Sequence, residues 1–253
     1  MSEISRREFC FGAVQGLVTL ALVTSLCDAQ AIKGSVKPVA HKWLSDMDSL
    51  CKDLRSGKVE PTGWQDGIES LLSRVEMPDL FKAIDFDRLA RTTTLYADHE
   101  TAEEMSFSQI KGAPRKPGFA PFFYGMKKGI SIVPHGHQNM ATMHMMLKGD
   151  AHGRHFDRIS DEPKFMTIKP TKDKAVTVGD VTTISSDRDN VHWFRATSET
   201  VFMFNIGVYS LDPTANTTGR DYIDPDHGEK LGDGSLRVPR ISAKAAYKLY
   251  GRS

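Results

Sequence analysis

Three histidines carry the densest chemistry in this chain. His135 and His137 flank a single glycine in the run from Gly129, and His192 follows more than fifty residues later. On a β-strand, residues i and i+2 point to one face, so His135 and His137 can address a single ion. Imidazole is the commonest metal ligand among side chains, and an H-x-H pair with a distant third histidine is hard to explain by packing. The expected site is therefore a mononuclear metal centre held by His135, His137 and His192. Beyond the pair, Thr142, His144 and Met146 share one face of the next strand, and Gly149-Asp150 reads as the turn that ends it. His144 is open to three readings: a group behind the ligands, a fourth ligand, or a satisfied interior residue. His152 and His155 read as surface or structural residues, with Asp150, Arg154 and Asp157 close by to pair with them. Met140, Met143, Met145 and Met146 read as core filler.

The spacing resembles the two motifs of the cupin superfamily. The first, G-x5-H-x-H-x(3,4)-E-x6-G, is matched by Gly129, His135, His137 and Gly149, with Thr142 in the place of the glutamate; the second supplies the distant histidine, here His192. Within that superfamily the chain is most similar to the plant cysteine oxidase and 2-aminoethanethiol dioxygenase family. Its H-D-H-P-G-M-T-V-F-S-K-L-L-Y-G stretch aligns without a gap from His135 to Gly149. His152 and the Phe156-Asp157 pair fall at family-like positions. The later N-[IL]-H-x-F-T-A is echoed by Asn190 to Ala196, and G-R-x-C by Gly219-Arg220-Asp221-Tyr222. The likeness spans roughly residues 95 to 225.

This resemblance implies a mainly β fold, a double-stranded β-helix or jelly-roll barrel, and a three-histidine site for ferrous iron, with Mn(II) or another divalent ion as the alternative. Three neutral imidazoles leave a divalent ion its full charge and leave positions open for an anionic substrate and dioxygen. The implied partners are O2 and a small molecule, a thiol oxidised to a sulfinate. Tyr222, Arg195 and Arg220 are candidates for a hydrogen-bond donor or a carboxylate clamp, the fork of arginine suiting the latter. Three departures from the family stand out: Tyr222 where some relatives have cysteine, Phe204 where an aspartate is expected, and Gln138-Asn139 in place of Pro-Gly. Other chemistries open to a cupin with this triad are a phenolic dioxygenase, a manganese-dependent decarboxylase, or a binding protein without turnover.

The elements that must position the site divide at about residue 92. Trp43, Met47, Leu50, Cys51 and Leu54 form one helical stripe ending near Gly57, and Trp64, Ile68, Leu71, Leu72 and Val75 form a second after Pro61. Pro78 opens a shorter third element with Leu80, Phe81 and Ile84. This helical segment, residues 32–91, is expected to pack across the outside of the barrel or cover one mouth. Strands are expected at 92–97, 118–124, 130–134, 141–147, 164–168, 175–178, 182–184, 191–194 and 200–208. The barrel then occupies residues 92–212. The Asp-, Gly- and Pro-rich tail, 213–253, is expected to close over the site or wrap the barrel, and it ends in a helix from Ser242 to Tyr250. Asp224, Asp226, His227 and Glu229 read as a solvated loop.

Composition excludes several classes. With 253 residues, a net charge of +1 and mixed signs throughout, the chain has a substantial core and no basic footprint for nucleic acid. No P-loop, dinucleotide fingerprint or G-x-S-x-G elbow is present. At the N-terminus, Ser5-Arg6-Arg7-Glu8-Phe9 precedes an apolar stretch from Cys10 to Leu26 and a small-residue site at Ala29-Gln30-Ala31. That pattern, residues 1–31, resembles a twin-arginine export signal. It implies cleavage, passage through the twin-arginine machinery to the periplasm, and no permanent membrane span in the mature chain, the stretch being short and polar for one. Of the three cysteines, only Cys51 would remain after cleavage, so no intramolecular disulfide can form. Its place on the first helical stripe makes Cys51 a core residue rather than a nucleophile.

Overall fold

A computed structural model describes residues 40–107, 110, 113–215 and 217–252, with side chains from Lys42 onward. The expected signal segment, with Cys10 and Cys27, lies outside these residues. None of the described helices is long and apolar enough to cross a membrane.

Eight strands build the barrel: β2 (Ala120–Lys127), β3 (Ser131–Gln138), β4 (Met140–Lys148), β5 (Ala151–Asp161), β6 (Phe165–Val176), β7 (Val181–Ile184), β8 (Val191–Ala196) and β9 (Thr200–Tyr209). One sheet runs β2-β9-β4-β7 and the other β3-β8-β5-β6, every neighbouring pair antiparallel. Consecutive strands cross between the sheets at every step except the β5-β6 hairpin. That alternation is the jelly-roll order, and it makes the protein a mainly β chain with a cupin-type barrel, as the motifs implied. A short β1 (Thr101–Glu104) extends the first sheet beside β2. Residues beyond 212 are drawn into the second sheet: β10 (Gly219–Tyr222) pairs with β3, β12 (Leu236–Pro239) with β6, and β11 (Glu229–Lys230) with β12.

Both faces of β4 are buried, which explains its unbroken apolar reading. Thr142, His144 and Met146 face into the barrel, while Ala141, Met143, Met145 and Leu147 face out and join a cluster with Phe202, Phe204, Ile206 and Val208 of β9. The cover on that outer face is the helical layer: α1 (Ala40–Arg55), α2 (Pro61–Leu72), α3 (Met77–Ile84) and α4 (Phe86–Thr92). Trp43, Met47, Cys51, Trp64 and Ile68 are all at 1% exposure or less and pack in the same cluster, so the helices lie on the outside of the smaller sheet. The expected third element is α3, and a further helix, α4, follows it past Asp85, whose left-handed conformation (φ 56°) separates the two. Residues 92–97, expected as a strand, instead complete α4 and leave it as irregular chain. Burial lifts the Cys51 thiol to about 12, consistent with a core residue.

The last helix, α5 (Ala243–Tyr250), is capped by the Ser242 hydroxyl, which accepts from the Ala245 amide at 3.2 Å. Ala246 and Tyr250 pack with Val133 and Trp193 on the outer face of the second sheet. Inside the barrel, Met126, Ile132, Met146, Val176, Phe194, Val201 and Met203 form a separate apolar cluster. The polar residues of the interior gather beside it.

Candidate metal centre

A bulge in β3 aims the first two ligands. Ile132 pairs with Phe194 and His135 with His192, so β3 takes three residue steps where β8 takes two. The extra residue falls at Val133-Pro134. Val133 turns outward onto Trp193 and Tyr250, and His135 returns to the interior face shared by Ile132. Proline, lacking an amide hydrogen, fits a place where the ladder is interrupted. Between the two ligands, a Cβ on Gly136 would lie 3.1 Å from Asn190 Oδ1 and 3.2 Å from Val191 Cγ2. The ligand strand is thus pressed against the segment that carries His192.

His135, His137 and His192 converge with exposures of 0%, 5% and 1%. His135 Nε2 lies 3.1 Å from His137 Nε2 and 2.9 Å from His192 Nε2. The Val133 carbonyl accepts from His135 Nδ1 at 2.8 Å, which places the single lone pair of that ring on Nε2. That lone pair can accept from only one of the two ring nitrogens it faces, so hydrogen bonding does not account for both contacts. An ion about 2.0–2.1 Å from each nitrogen, at roughly right angles, holds them about 3 Å apart, so the donor set fits a divalent metal. Burial first, and then the Arg220 charge and the neighbouring imidazoles, holds His135 well below the usual histidine range. Burial and Arg220 lower His137 to about 3. Burial, followed by the other imidazoles, does the same for His192. All three are neutral near pH 7, as ligation requires.

The peptide around His137 is clamped by Asn190. Its Nδ2 donates to His137 O at 3.0 Å and Ser185 O at 2.9 Å, while its Oδ1 accepts from His137 N at 3.2 Å. Gln65 of α2 then ties that turn to the helical layer, donating to Thr183 Oγ1 and Arg188 O and accepting from Ser185 Oγ. Asn190→Ala would strand buried backbone groups, and we expect a loss of about 1–3 kcal/mol in unfolding free energy, read by urea denaturation. An unchanged midpoint would mean the clamp carries no weight.

The departures from the motif have local causes. Thr142, in the glutamate place, faces inward, but its hydroxyl accepts from Asn205 Nδ2 at 2.8 Å. Asn139, in a glycine place, sits at φ 52° at the β3-β4 corner, a conformation asparagine tolerates better than most residues. Its amide also brackets Asp212, accepting from Asp212 N and donating to Asp212 O. Phe204 faces the helices, with its ring 6.4 Å from Trp43 and 6.2 Å from Phe107.

Two further imidazoles share the chamber. The His144 ring is 5.0 Å from that of His192 and 5.2 Å from Phe194. His155, expected as a surface or structural residue, is 1% exposed and lies 6.1 Å from the His192 ring, with neither ring nitrogen hydrogen-bonded. The reason is parity: Arg154 points away from the chamber while His155 points into it opposite His192. His152 does sit on the surface, paired with Asp173.

Of the three candidate polar residues, two reach the site. Arg220 and Tyr222 are register partners of His137 and His135. The Tyr222 ring is 5.9 Å from that of His135, and Arg220 Nη2 donates to the Tyr124 hydroxyl at 3.0 Å. Burial opposes the Arg220 charge, but Tyr124, Tyr222 and Glu100 outweigh it and hold the group ionised. Glu100 Oε1 is 3.8 Å from Arg220 and accepts from the Tyr247 hydroxyl at 2.7 Å. Arg195 is a correction. It lies on the outer face of β8, its guanidinium 5.2 Å from the Trp193 ring, and does not face the imidazoles. Tyr124, Asn190 and Glu100 were not singled out from the sequence. Only Asn190, beside His192 in the second motif, carried a signal there. Asp224 binds the Tyr250 hydroxyl and His227 in a local turn.

Fold and site together define a cupin-type barrel with a three-histidine centre suited to a single metal ion. No family model and no curated protein matches the chain. Among solved structures it is similar to procruciferin, an 11S globulin from Brassica napus, at 13% identity over 49% of this chain and 28% of that one, TM-score 0.34. A cupin superfamily protein from Desulfitobacterium hafniense overlaps at 12% identity over 48% of this chain and 87% of that one, TM-score 0.32. A recombinant oxalate oxidase in complex with glycolate overlaps at 13% identity over 50% of this chain and 56% of that one, TM-score 0.34. The chain therefore spans less than a third of the globulin and little more than half of the oxidase. These overlaps concern half of the chain, and the barrel type is defined by its strand order.

Proposed function

We propose that this protein is an exported, mononuclear metal-dependent oxygenase in which His135, His137 and His192 hold ferrous iron and a small thiol is oxidised to a sulfinate. The observation that carries this reading is the convergence of three neutral Nε2 atoms with no carboxylate among them, Thr142 standing in the carboxylate place. The bound ion would supply adjacent positions for sulfur and dioxygen and the electronic coupling between them. The balance is R-SH + O2 → R-SO2H: sulfur gives up four electrons, dioxygen accepts four, and both oxygen atoms end on sulfur.

The chain's own groups prepare that encounter. Arg220, held charged beside Tyr124, sets a positive field at the imidazoles that favours an anionic substrate. The Tyr222 hydroxyl makes no hydrogen bond among the described residues and is free to donate to the substrate. Phe194, Met146 and Ile132, all buried, form an apolar flank of the barrel interior, with the Phe194 ring 5.3 Å from that of His192. The motif at Arg6-Arg7 supports export of the folded protein. Anaerobically iron-loaded protein given a panel of small thiols should consume oxygen in a thiol-dependent way with about one iron per chain. Bound metal without thiol-dependent uptake would move the reading to another metal chemistry or to a binding role.

A further inference from the structure

We propose that the outer face of the larger sheet carries a second binding site, for a small organic anion with a flat apolar body, in a cavity bounded by His152, Arg154, Trp193, Arg195 and Thr197. The cavity measures about 280 Å³, just below the roughly 300–1,000 Å³ of pockets for drug-sized ligands, so its ligand is small. Strand register builds it: Arg154 lies opposite Trp193, and His152 opposite Arg195. The two guanidinium carbons stand 4.8 Å and 5.2 Å from the indole centroid, so cations border an aromatic wall.

The charges around this wall are unevenly matched. Arg154 has Asp173 at 3.3 Å and Asp226 at 3.7 Å, and His152 pairs with the same Asp173. Arg195 has no carboxylate partner among the described residues, and its Nε is buried without an acceptor. A guanidinium keeps its charge in any surroundings and presents a planar fork of donors, so the missing acceptor is an anion, with a carboxylate the best geometric match. The arginine stems and the exposed edge of the indole make the rest of the lining apolar, which suits a small, flat apolar body on the same molecule. Trp193 and Arg195 lie on the opposite face of β8 from His192 and Phe194, so this site and the metal centre share a strand without sharing a cavity.

The probe is benzoate, titrated into metal-free protein and followed by calorimetry and by the indole N-H signals of the three tryptophans. We expect saturable binding of one benzoate per chain, movement of the Trp193 signal, and little effect of inorganic phosphate at equal concentration. Arg195→Gln, losing a charged hydrogen-bonding partner, should weaken binding roughly 10- to 100-fold, and Arg220→Gln should leave it unchanged. Absence of saturable binding, movement of a different indole signal, or an equal response to phosphate would overturn the proposal. So would binding that survives Arg195→Gln but is lost in Arg220→Gln. Should Arg195→Gln fail to fold, the wild-type indole signals decide alone.

Discussion

His192→Ala is expected to reduce bound metal from about one ion per chain to near zero while the barrel still folds. Changes to groups behind a metal ligand already cost about 10- to 100-fold in affinity, so removing one of three ligands should cost more than about 100-fold. Folding should persist because β8 keeps Val191, Trp193 and Phe194, all at 5% exposure or less, as its packing surface. Two controls locate the effect. His152→Ala removes a surface imidazole paired with Asp173 and should leave metal content alone. His144→Ala should also retain the ion, since the converging ligand atoms are those of His135, His137 and His192. Metal content by elemental analysis, alongside a circular dichroism spectrum, decides the matter. Unchanged metal in His192→Ala would end the triad assignment, and loss of metal in His144→Ala would enlarge the ligand set.

The metal-free protein should unfold steeply as the pH drops below about 6.5. His135, His137, His144, His155 and His192 are all lowered by burial, His155 to about 4 and His137 to about 3. In the unfolded chain each returns to the ordinary range and takes up a proton that the fold refuses. The stability these groups permit is therefore complete above the unfolded value and is lost as the pH falls toward the folded values. Each group contributes about 1.4 kcal/mol per pH unit in that window. Five together approach about 7 kcal/mol per unit, against a total stability of about 5–15 kcal/mol for a typical domain. Collapse within one to two units of the onset, at about pH 5, is the expected result. Metal loading should move the midpoint lower, because a ligated nitrogen has no lone pair to protonate. Unfolding curves at stepped pH, with and without chelator, test this; stability that stays level from pH 7 to 4.5 would contradict it.

What could be read in advance followed strand parity. The pair His135 and His137 and the trio Thr142, His144 and Met146 lie on unbroken stretches, and alternation alone gave their common face. The same arithmetic could have removed Arg195, which is three residues from His192 and so on the opposite face. His155 was hidden because Arg154, Asp157 and Arg158 give β5 a polar reading, although those charges lie along only part of its surface. The strands β10, β11 and β12 were obscured by glycine, aspartate and proline, residues that mark loops when no pairing partner is known. The separate helix α4 was not foreseen, since the left-handed conformation of Asp85 that sets it off from α3 is not announced by residue type alone. The helical layer was legible as stripes, but its seat on β4 and β9 was not, because Phe204 and Met143 carry no mark of which sheet face they cover.

The three ligand imidazoles are almost sealed from water, at no more than 5% exposure, and Asn190 and Gln65 anchor the turn beside His192 to both the ligand strand and the helical layer. An ion held there would exchange slowly, because the turn that carries His192 must loosen before its third ligand can swing away. The metal carried would then tend to be the one met while the chain folded. A competing ion met later, even one that binds more tightly at equilibrium, would have to displace one already held by three anchored imidazoles.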